Sequence, residues 1–98
     1  DMHTPPPVDW PVLPQSVVEL KVMDLQHTCG NYIFPLAHVT ACANINFDTM
    51  KCIIYIQAGL DDYTKEATLE HEREHCLGRD HIGSNLLRNY WEQWGKGK

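Results

Sequence analysis

Residues 71–81 contain five residues whose types and spacing are typical of a metal site. In the pattern H-E-x-x-H-x-x-G-x-x-H they are His71, Glu72, His75, Gly78 and His81. On a helix, His71 and His75 lie about 40° apart around the axis and roughly 6 Å apart along it, so both imidazoles can close on one metal ion. Glu72 then lies beside the ion, where a carboxylate can take a proton from metal-bound water.

The last part of the pattern can supply a third ligand. Gly78 can adopt the left-handed conformation that ends a helix, so the chain turns back and can deliver His81 to the metal. Three histidines with one open water position is the arrangement of a catalytic zinc site. The pattern therefore predicts a zinc ion (Zn2+) bound by His71, His75 and His81, with Glu72 as the catalytic base.

This pattern resembles the extended zinc-binding signature of the metzincin metallopeptidases, within the wider zincin group. No methionine follows His81, so the resemblance is to a minimal zincin that lacks the Met-containing turn of that family. It implies a zinc-dependent peptidase that hydrolyses a peptide or protein substrate with a zinc-bound water activated by Glu72. In zincins an edge strand near the active-site helix binds extended substrate by strand addition. By this resemblance, the strand just before the helix is the candidate.

Two other interpretations stay open. The spacing H-x3-H-x5-H also resembles the metal motif of YbeY-type endoribonucleases, and residues 78–81 match its Gly-x-Asp-His ending. In that family a glycine usually follows the first histidine, where this chain has Glu72. In the second alternative, the zinc only braces a non-catalytic binding module, but a purely structural site needs no base such as Glu72.

Other residues with site chemistry are assigned less specific roles. Asp80 could orient a histidine, cap the following turn or replace His81 as a ligand, and an orienting or structural role is preferred. Tyr63 or Tyr90 could supply a hydrogen bond to the transition state. Three further histidines have no partner spacing and are predicted to be ordinary surface or loop residues: His3, His27 and His38.

Composition limits the class of protein. The chain has 98 residues, 43% of them hydrophobic and 21% charged, which is typical of one small globular domain. Its formal charge of −5 argues against a nucleic-acid partner, since a phosphate-binding surface usually carries a basic stripe. No apolar run is long enough to span a bilayer. The sequence begins without an initiator methionine or a signal peptide, as expected of a mature or trimmed form; the oligomeric state is not predicted.

The four cysteines predict two disulfides, because their spacing fits no C-x-x-C metal site. Such bonds persist in an oxidising compartment, so we expect a secreted or periplasmic protein. Cys76 and Cys52 are expected on facing sides of a helix and a strand. This favours the pairs Cys52–Cys76 and Cys29–Cys42, although three connectivities are possible.

The remaining pattern predicts an α+β fold. Residues 1–16 are a proline-rich extended arm, pinned by Trp10 and Val12, and residues 17–98 are a single zincin-like catalytic domain. Whether the arm inhibits the site is left open. Strands are predicted over residues 17–25, 39–47 and 50–57, with the last two forming a hairpin and a loop over residues 26–37. A small antiparallel or mixed sheet then packs on the active-site helix, for which Asp61, Asp62 and Thr64 offer N-cap oxygens and which runs through about Leu77. A C-terminal helix carries an apolar stripe that is predicted to close the core, with a substrate-binding aromatic patch as the alternative: Leu86, Leu87, Tyr90, Trp91 and Trp94.

Overall fold

A computed structural model describes residues 3–97 as one mixed sheet with helices on both faces. In chain order the elements are β1 (Gln15–Leu20), α1 (Val22–Thr28), β2 (Ala41–Asn46), β3 (Lys51–Gln57), α2 (Asp62–Cys76), α3 (Leu86–Tyr90) and a π-helical segment (Trp91–Gly95). The strand order is β1-β3-β2, with β1 parallel and β2 antiparallel to the central β3. The predicted α+β fold is confirmed, and so is the β2–β3 hairpin. Residues 1, 2 and 98, which belong to the predicted arm and domain, lie outside the described residues.

The main core lies between the sheet and α2. Three alternate residues of β3, namely Cys52, Ile54 and Ile56, are fully buried. They pack with Leu69 and Cys76 of α2. This period-two burial on the strand fixes which face of the sheet carries the predicted active-site helix.

The prediction of a strand over residues 17–25 is wrong for the second half of that range. Strand β1 ends at Leu20, and residues 22–28 form α1 instead of continuing the strand into the predicted loop. The helix buries Leu25 and Gln26 against the second face of the sheet. Gln26 Nε2 donates to the Val39 carbonyl (2.7 Å), and its Oε1 accepts from the Val39 amide (2.9 Å). These contacts, distant in sequence, override the imperfect alternation that suggested a strand.

The N-terminal arm is extended, as predicted, but is anchored differently. Trp10 packs against the core and its Nε1 donates to the Cys76 carbonyl (3.0 Å). Leu13 is buried, whereas Val12 is 95% exposed, so the prediction that Val12 pins the arm is wrong. Asp9 accepts a hydrogen bond from Trp91 Nε1 (2.9 Å), and this bond, together with Lys96, holds the pKa of Asp9 below its usual value.

The C-terminal helical region closes the core over part of its predicted stripe. Trp91 is buried, and Leu87 and Tyr90 pack against the core cluster. Leu86 and Trp94 are exposed, so those two members of the stripe do not contribute to the core. The amphipathic pattern thus predicted the helix and its buried side, but assigned that side too broadly.

Two disulfides tie the helices to the sheet, and both predicted pairs are confirmed. Cys29 at the end of α1 joins Cys42 of β2, and Cys52 of β3 joins Cys76 at the end of α2. The bonds are compatible with an extracellular or periplasmic location. Among residues 3–97, no helix combines the length and apolar character that crossing a membrane requires.

Candidate metal centre

Helix α2 carries the first two predicted ligands, and its start is set by a capping residue. Asp61 Oδ1 accepts from the Thr64 amide, and Asp61 Oδ2 accepts from the Thr64 hydroxyl, both at 2.8 Å. This satisfies a backbone donor that the first helical turn leaves without a partner. The cap fixes where the helix begins, and hence the rotational position of His71 and His75.

Helix α2 ends at Cys76, and Gly78 turns the chain back just after it, as the sequence predicts. The Gly78 amide donates to the His75 carbonyl (2.9 Å), and the Arg79 amide donates to the Glu74 carbonyl (3.0 Å). This pair of bonds is the Schellman motif, and Gly78 has the positive φ of 87° that it requires. The reversal brings the following segment, with His81, back toward the helix.

The three predicted ligands converge through their Nε2 atoms. His71 Nε2 lies 3.0 Å from His81 Nε2 and 3.2 Å from His75 Nε2. Nitrogens bound tetrahedrally to zinc at 2.0–2.1 Å lie about 3.3 Å apart, so the observed spacing is close to that of a ligand set. His75 Nδ1 donates to the Arg79 carbonyl (2.7 Å), which leaves the lone pair of the neutral ring on the converging Nε2.

The chemistry of this donor set fits a metal cation. In a neutral imidazole, His71 Nε2 carries either one proton or one lone pair. It therefore cannot fully satisfy both of the neighbouring histidine nitrogens by hydrogen bonding. A cation at the centre could accept a lone pair from all three rings. Imidazole donors suit zinc, copper, iron and nickel, so the cluster could hold a metal ion of this group.

A fourth imidazole joins the cluster, and the prediction for His3 is therefore wrong. Its ring centroid lies 4.7 Å from that of His71 and 5.2 Å from that of His75, and the ligand atoms of the four histidines are all within 4.8 Å of one another. Sequence spacing gave no signal, because the contact joins the arm to a helix far along the chain. His27 and His38 are exposed and lie outside this cluster, as predicted.

Glu72 is buried beside the converging rings. Only 7% of the residue is exposed, and it lines a cavity of about 730 Å³ together with His71, His75 and His81. Burial raises the pKa of Glu72, and the three histidines oppose that rise. The carboxylate thus lies where sequence periodicity predicted it, next to the converging histidine nitrogens.

Strand β2 forms another wall of the same cavity through Ala41, Ala43 and Ile45. The Gln57 amide donates to the Thr40 carbonyl (3.0 Å), so the alternation of an antiparallel pair directs the backbone groups of residues 41, 43 and 45 away from β3. The Tyr90 hydroxyl donates to the Ile45 carbonyl (3.1 Å), which agrees with that direction. The edge strand at the cavity is therefore β2, and the prediction that the strand just before the helix offers a free edge is wrong because β3 is central.

Asp80 positions the loop that carries His81. Its Oδ1 accepts from the His81 amide (3.0 Å) and its Oδ2 from the Leu87 amide (3.1 Å). Burial raises the pKa of Asp80, but these bonds and one from Ser84 outweigh it and leave the pKa below its ordinary value. With both oxygens engaged by backbone donors, Asp80 has the structural role preferred from the sequence.

Neither tyrosine suggested as a transition-state donor lines the cavity. Tyr63 is 85% exposed on the first turn of α2, about 12 Å along the helix from His71. Tyr90 donates its hydroxyl to β2. In this arrangement Tyr90 supports the strand, and neither hydroxyl is positioned at the histidine cluster.

Comparison with known proteins returned no relative. No protein-family model, no curated protein and no solved structure matches the chain. The residues and their geometry therefore carry the functional argument.

Proposed function

We propose that this protein is a zinc-dependent metallopeptidase acting on a peptide or protein substrate. The observation that carries the proposal is the buried carboxylate of Glu72 in a cavity wall, beside three converging imidazoles. When bound by His71, His75 and His81, zinc supplies Lewis-acid chemistry that lowers the pKa of a water molecule and polarises a carbonyl group. Imidazole donors and the open cavity both suit such a site.

Glu72 acts as general base and then as general acid. Its carboxylate takes a proton from the attacking water and passes it to the leaving amine. A base works best when its pKa is near the working pH, and burial moves the pKa of Glu72 in that direction. Glu72 thus has a proton-transfer role that a surface carboxylate on the same helix could not perform.

The free edge of β2 orients the substrate. An extended peptide can pair with the outward backbone groups of Ala41 and Ala43, which border the same cavity as Glu72. The apolar side chains of Ile45 and Leu87 line that cavity and limit the access of bulk water. The two disulfides support a secreted or periplasmic setting for this activity.

The endoribonuclease alternative has less support. Its main motif match includes Asp80, whose oxygens are occupied by backbone amides. Among the residues that line the described cavity there is no lysine or arginine to neutralise a phosphate. A non-catalytic zinc module would gain nothing from burying the Glu72 carboxylate beside the ligands, since burial of a carboxylate is costly.

The experiment that tests this proposal compares Glu72→Gln with Glu70→Gln, a variant of an exposed carboxylate on the same helix. Glu72→Gln should retain stoichiometric zinc by metal analysis and lose peptide hydrolysis by about 10²- to 10⁴-fold, the usual contribution of a general base. Glu70→Gln should match the wild type in both. The variants are assayed on a peptide library, on peptidoglycan peptides and on single-stranded RNA. Peptide cleavage that survives in Glu72→Gln, or cleavage of RNA alone, contradicts the proposal.

A further inference from the structure

Residues 3 and 4 form a strap across the loop that carries His81. His3 makes an isolated antiparallel bridge with His81. The Thr4 amide donates to the Asp80 carbonyl (2.8 Å), and the Thr4 hydroxyl accepts from the Asp80 amide (3.2 Å). The strap therefore has a defined register on this loop, and that register places the His3 ring at the cluster.

The His3 imidazole lies against the rings of His71, His75 and His81. Its ligand atom belongs to a group of four that lie within 4.8 Å of one another. His3 is not among the residues that line the cavity, whereas His71, His75 and His81 are. Its ligand atom is therefore close enough to those of the other three histidines to share one metal ion with them.

The number of protein ligands decides what a zinc site can do. Structural zinc sites have four protein ligands in a closed tetrahedron, whereas catalytic sites have three and keep one position for water or substrate. Three histidines of this cluster suffice for the catalytic arrangement. A fourth bound histidine would convert it into the closed arrangement.

We propose that His3 is a fourth, displaceable metal ligand, and that the strap holds the site closed until it is released. This inference rests on the proposed function, since closing the fourth position excludes the water that peptide hydrolysis needs. In the strapped state, His3 and the three loop and helix histidines share the ion. In the released state, His71, His75 and His81 retain it and the fourth position is open.

The strap can leave without unfolding the arm. Behind it, the arm is anchored by buried Pro7 and Leu13 and by the bond from Trp10 to the Cys76 carbonyl. Within residues 3–97, the contacts of the strap with the loop are made by His3 and Thr4. The stiff segment of residues 5–7, all proline, separates the two parts, so detachment need not spread along the arm.

The first test measures coordination rather than turnover. His3→Ala and the wild type are loaded with Co2+, whose visible spectrum responds when a nitrogen donor is replaced by water. We expect a changed spectrum, full metal loading, zinc affinity weakened by about tenfold or more as for disturbed ligand shells, and unchanged values for His27→Ala, which replaces an exposed histidine. Identical spectra and affinities for His3→Ala and the wild type would overturn the proposal. Complete loss of metal would also overturn it, because His3 would then be indispensable rather than displaceable.

The second test probes the open position with acetohydroxamate, a small metal chelator, on the Co2+ protein. If the released state is a minor population of a tenth or less, His3→Ala should bind the probe about tenfold or more tightly than the wild type. Thr4→Pro removes the amide and hydroxyl that hold the strap but keeps His3, and it should shift probe binding in the same direction. Val8→Thr, at an exposed position of the same arm, is the control. Equal probe affinity in the wild type and His3→Ala would contradict displacement.

The two proposals fail separately. If no variant cleaves peptide but His3→Ala alters the Co2+ spectrum and probe binding, the peptidase function is wrong and the fourth ligand stands. If the wild type cleaves peptide and His3→Ala changes neither the metal coordination nor the cleavage rate, the peptidase proposal is supported and the proposal that His3 is a displaceable ligand is wrong. Support for both requires faster peptide cleavage by His3→Ala than by the wild type.

Discussion

At the residue scale, Gly78 meets two constraints that no other residue type satisfies. Its φ of 87° belongs to the left-handed region that favours glycine. A Cβ built on it would also lie 2.5 Å from the ring of Trp10, which is fixed by its bond to the Cys76 carbonyl. The position that turns the chain toward His81 is therefore also where the arm packs under the end of α2.

Replacing Gly78 by alanine tests this double constraint. We expect Gly78→Ala to lower the free energy of unfolding by about 2–4 kcal/mol, from backbone strain and overpacking together. Gly59→Ala is the matched control, because Gly59 has a φ of 85° with nothing within 4 Å of the added Cβ. It should cost about 1 kcal/mol, from the backbone alone. Chemical denaturation of the metal-free proteins measures the free energy of unfolding of both variants. Equal losses of stability would show that the Trp10 ring moves aside without destabilising the fold.

At the element scale, β2 combines two roles. One edge is hydrogen-bonded to β3, and the other borders the cavity beside Glu72. The side chains of Ala41 and Ala43 are small, which leaves space in the cavity for the side chains of a paired substrate. This geometry is why substrate binding is assigned to β2 rather than to the central β3.

The outward amide of Ala43 gives a direct test of strand addition. Ala43→Pro removes this amide, which does not bond to β3, so the fold and zinc content should be retained. Loss of one hydrogen bond to the substrate should lower kcat/KM between about twofold and tenfold. Ala43→Ser keeps the amide and should stay near the wild type. An unchanged kcat/KM in a folded, zinc-loaded Ala43→Pro protein would exclude pairing at this position.

At the scale of the whole molecule, the disulfides fasten opposite faces of the sheet. Cys29–Cys42 ties the end of α1 to β2, and neither cysteine adjoins a histidine of the cluster in the chain. Cys52–Cys76 is buried in the core and ends on the residue after His75. The first bond holds the scaffold together, whereas the second also fixes the end of α2 that presents a ligand.

Removing each bond separates these contributions. The bonds span 13 and 24 residues, and chain-entropy arguments give each about 3 kcal/mol of stability, so both Cys→Ala double variants should lose a similar amount. Only Cys52→Ala with Cys76→Ala should also weaken zinc binding, by about tenfold, as for disturbed support of a ligand. Denaturation and zinc competition titrations provide the two readouts. Equal zinc affinity in both double variants would show that the second bond does not support the ligand.

The sequence by itself determined the local part of the site. Helical periodicity fixes the relative positions of the His71, Glu72 and His75 side chains within little more than one turn. Gly78 indicates that the chain reverses before His81. The fold class, the hairpin and the disulfide pairs also followed, because strand alternation and helix faces indicate which side chains turn inward. The relations within residues 71–81 are short-range, so backbone geometry dictates them almost without regard to the rest of the chain.

Only the tertiary structure decided which distant segments meet. The strand order, with β3 central and β2 at the edge, depends on pairing between β1 and β3 that no local pattern encodes. Helix α1 forms because Leu25 and Gln26 are buried and Gln26 hydrogen-bonds to the backbone of Val39, just before β2. His3 reaches the other three histidines because the arm is anchored by Trp10 and Leu13 and bridges to His81. Such contacts are selected by the packing of the whole chain, which is why spacing revealed three ligands of the cluster and not the fourth histidine.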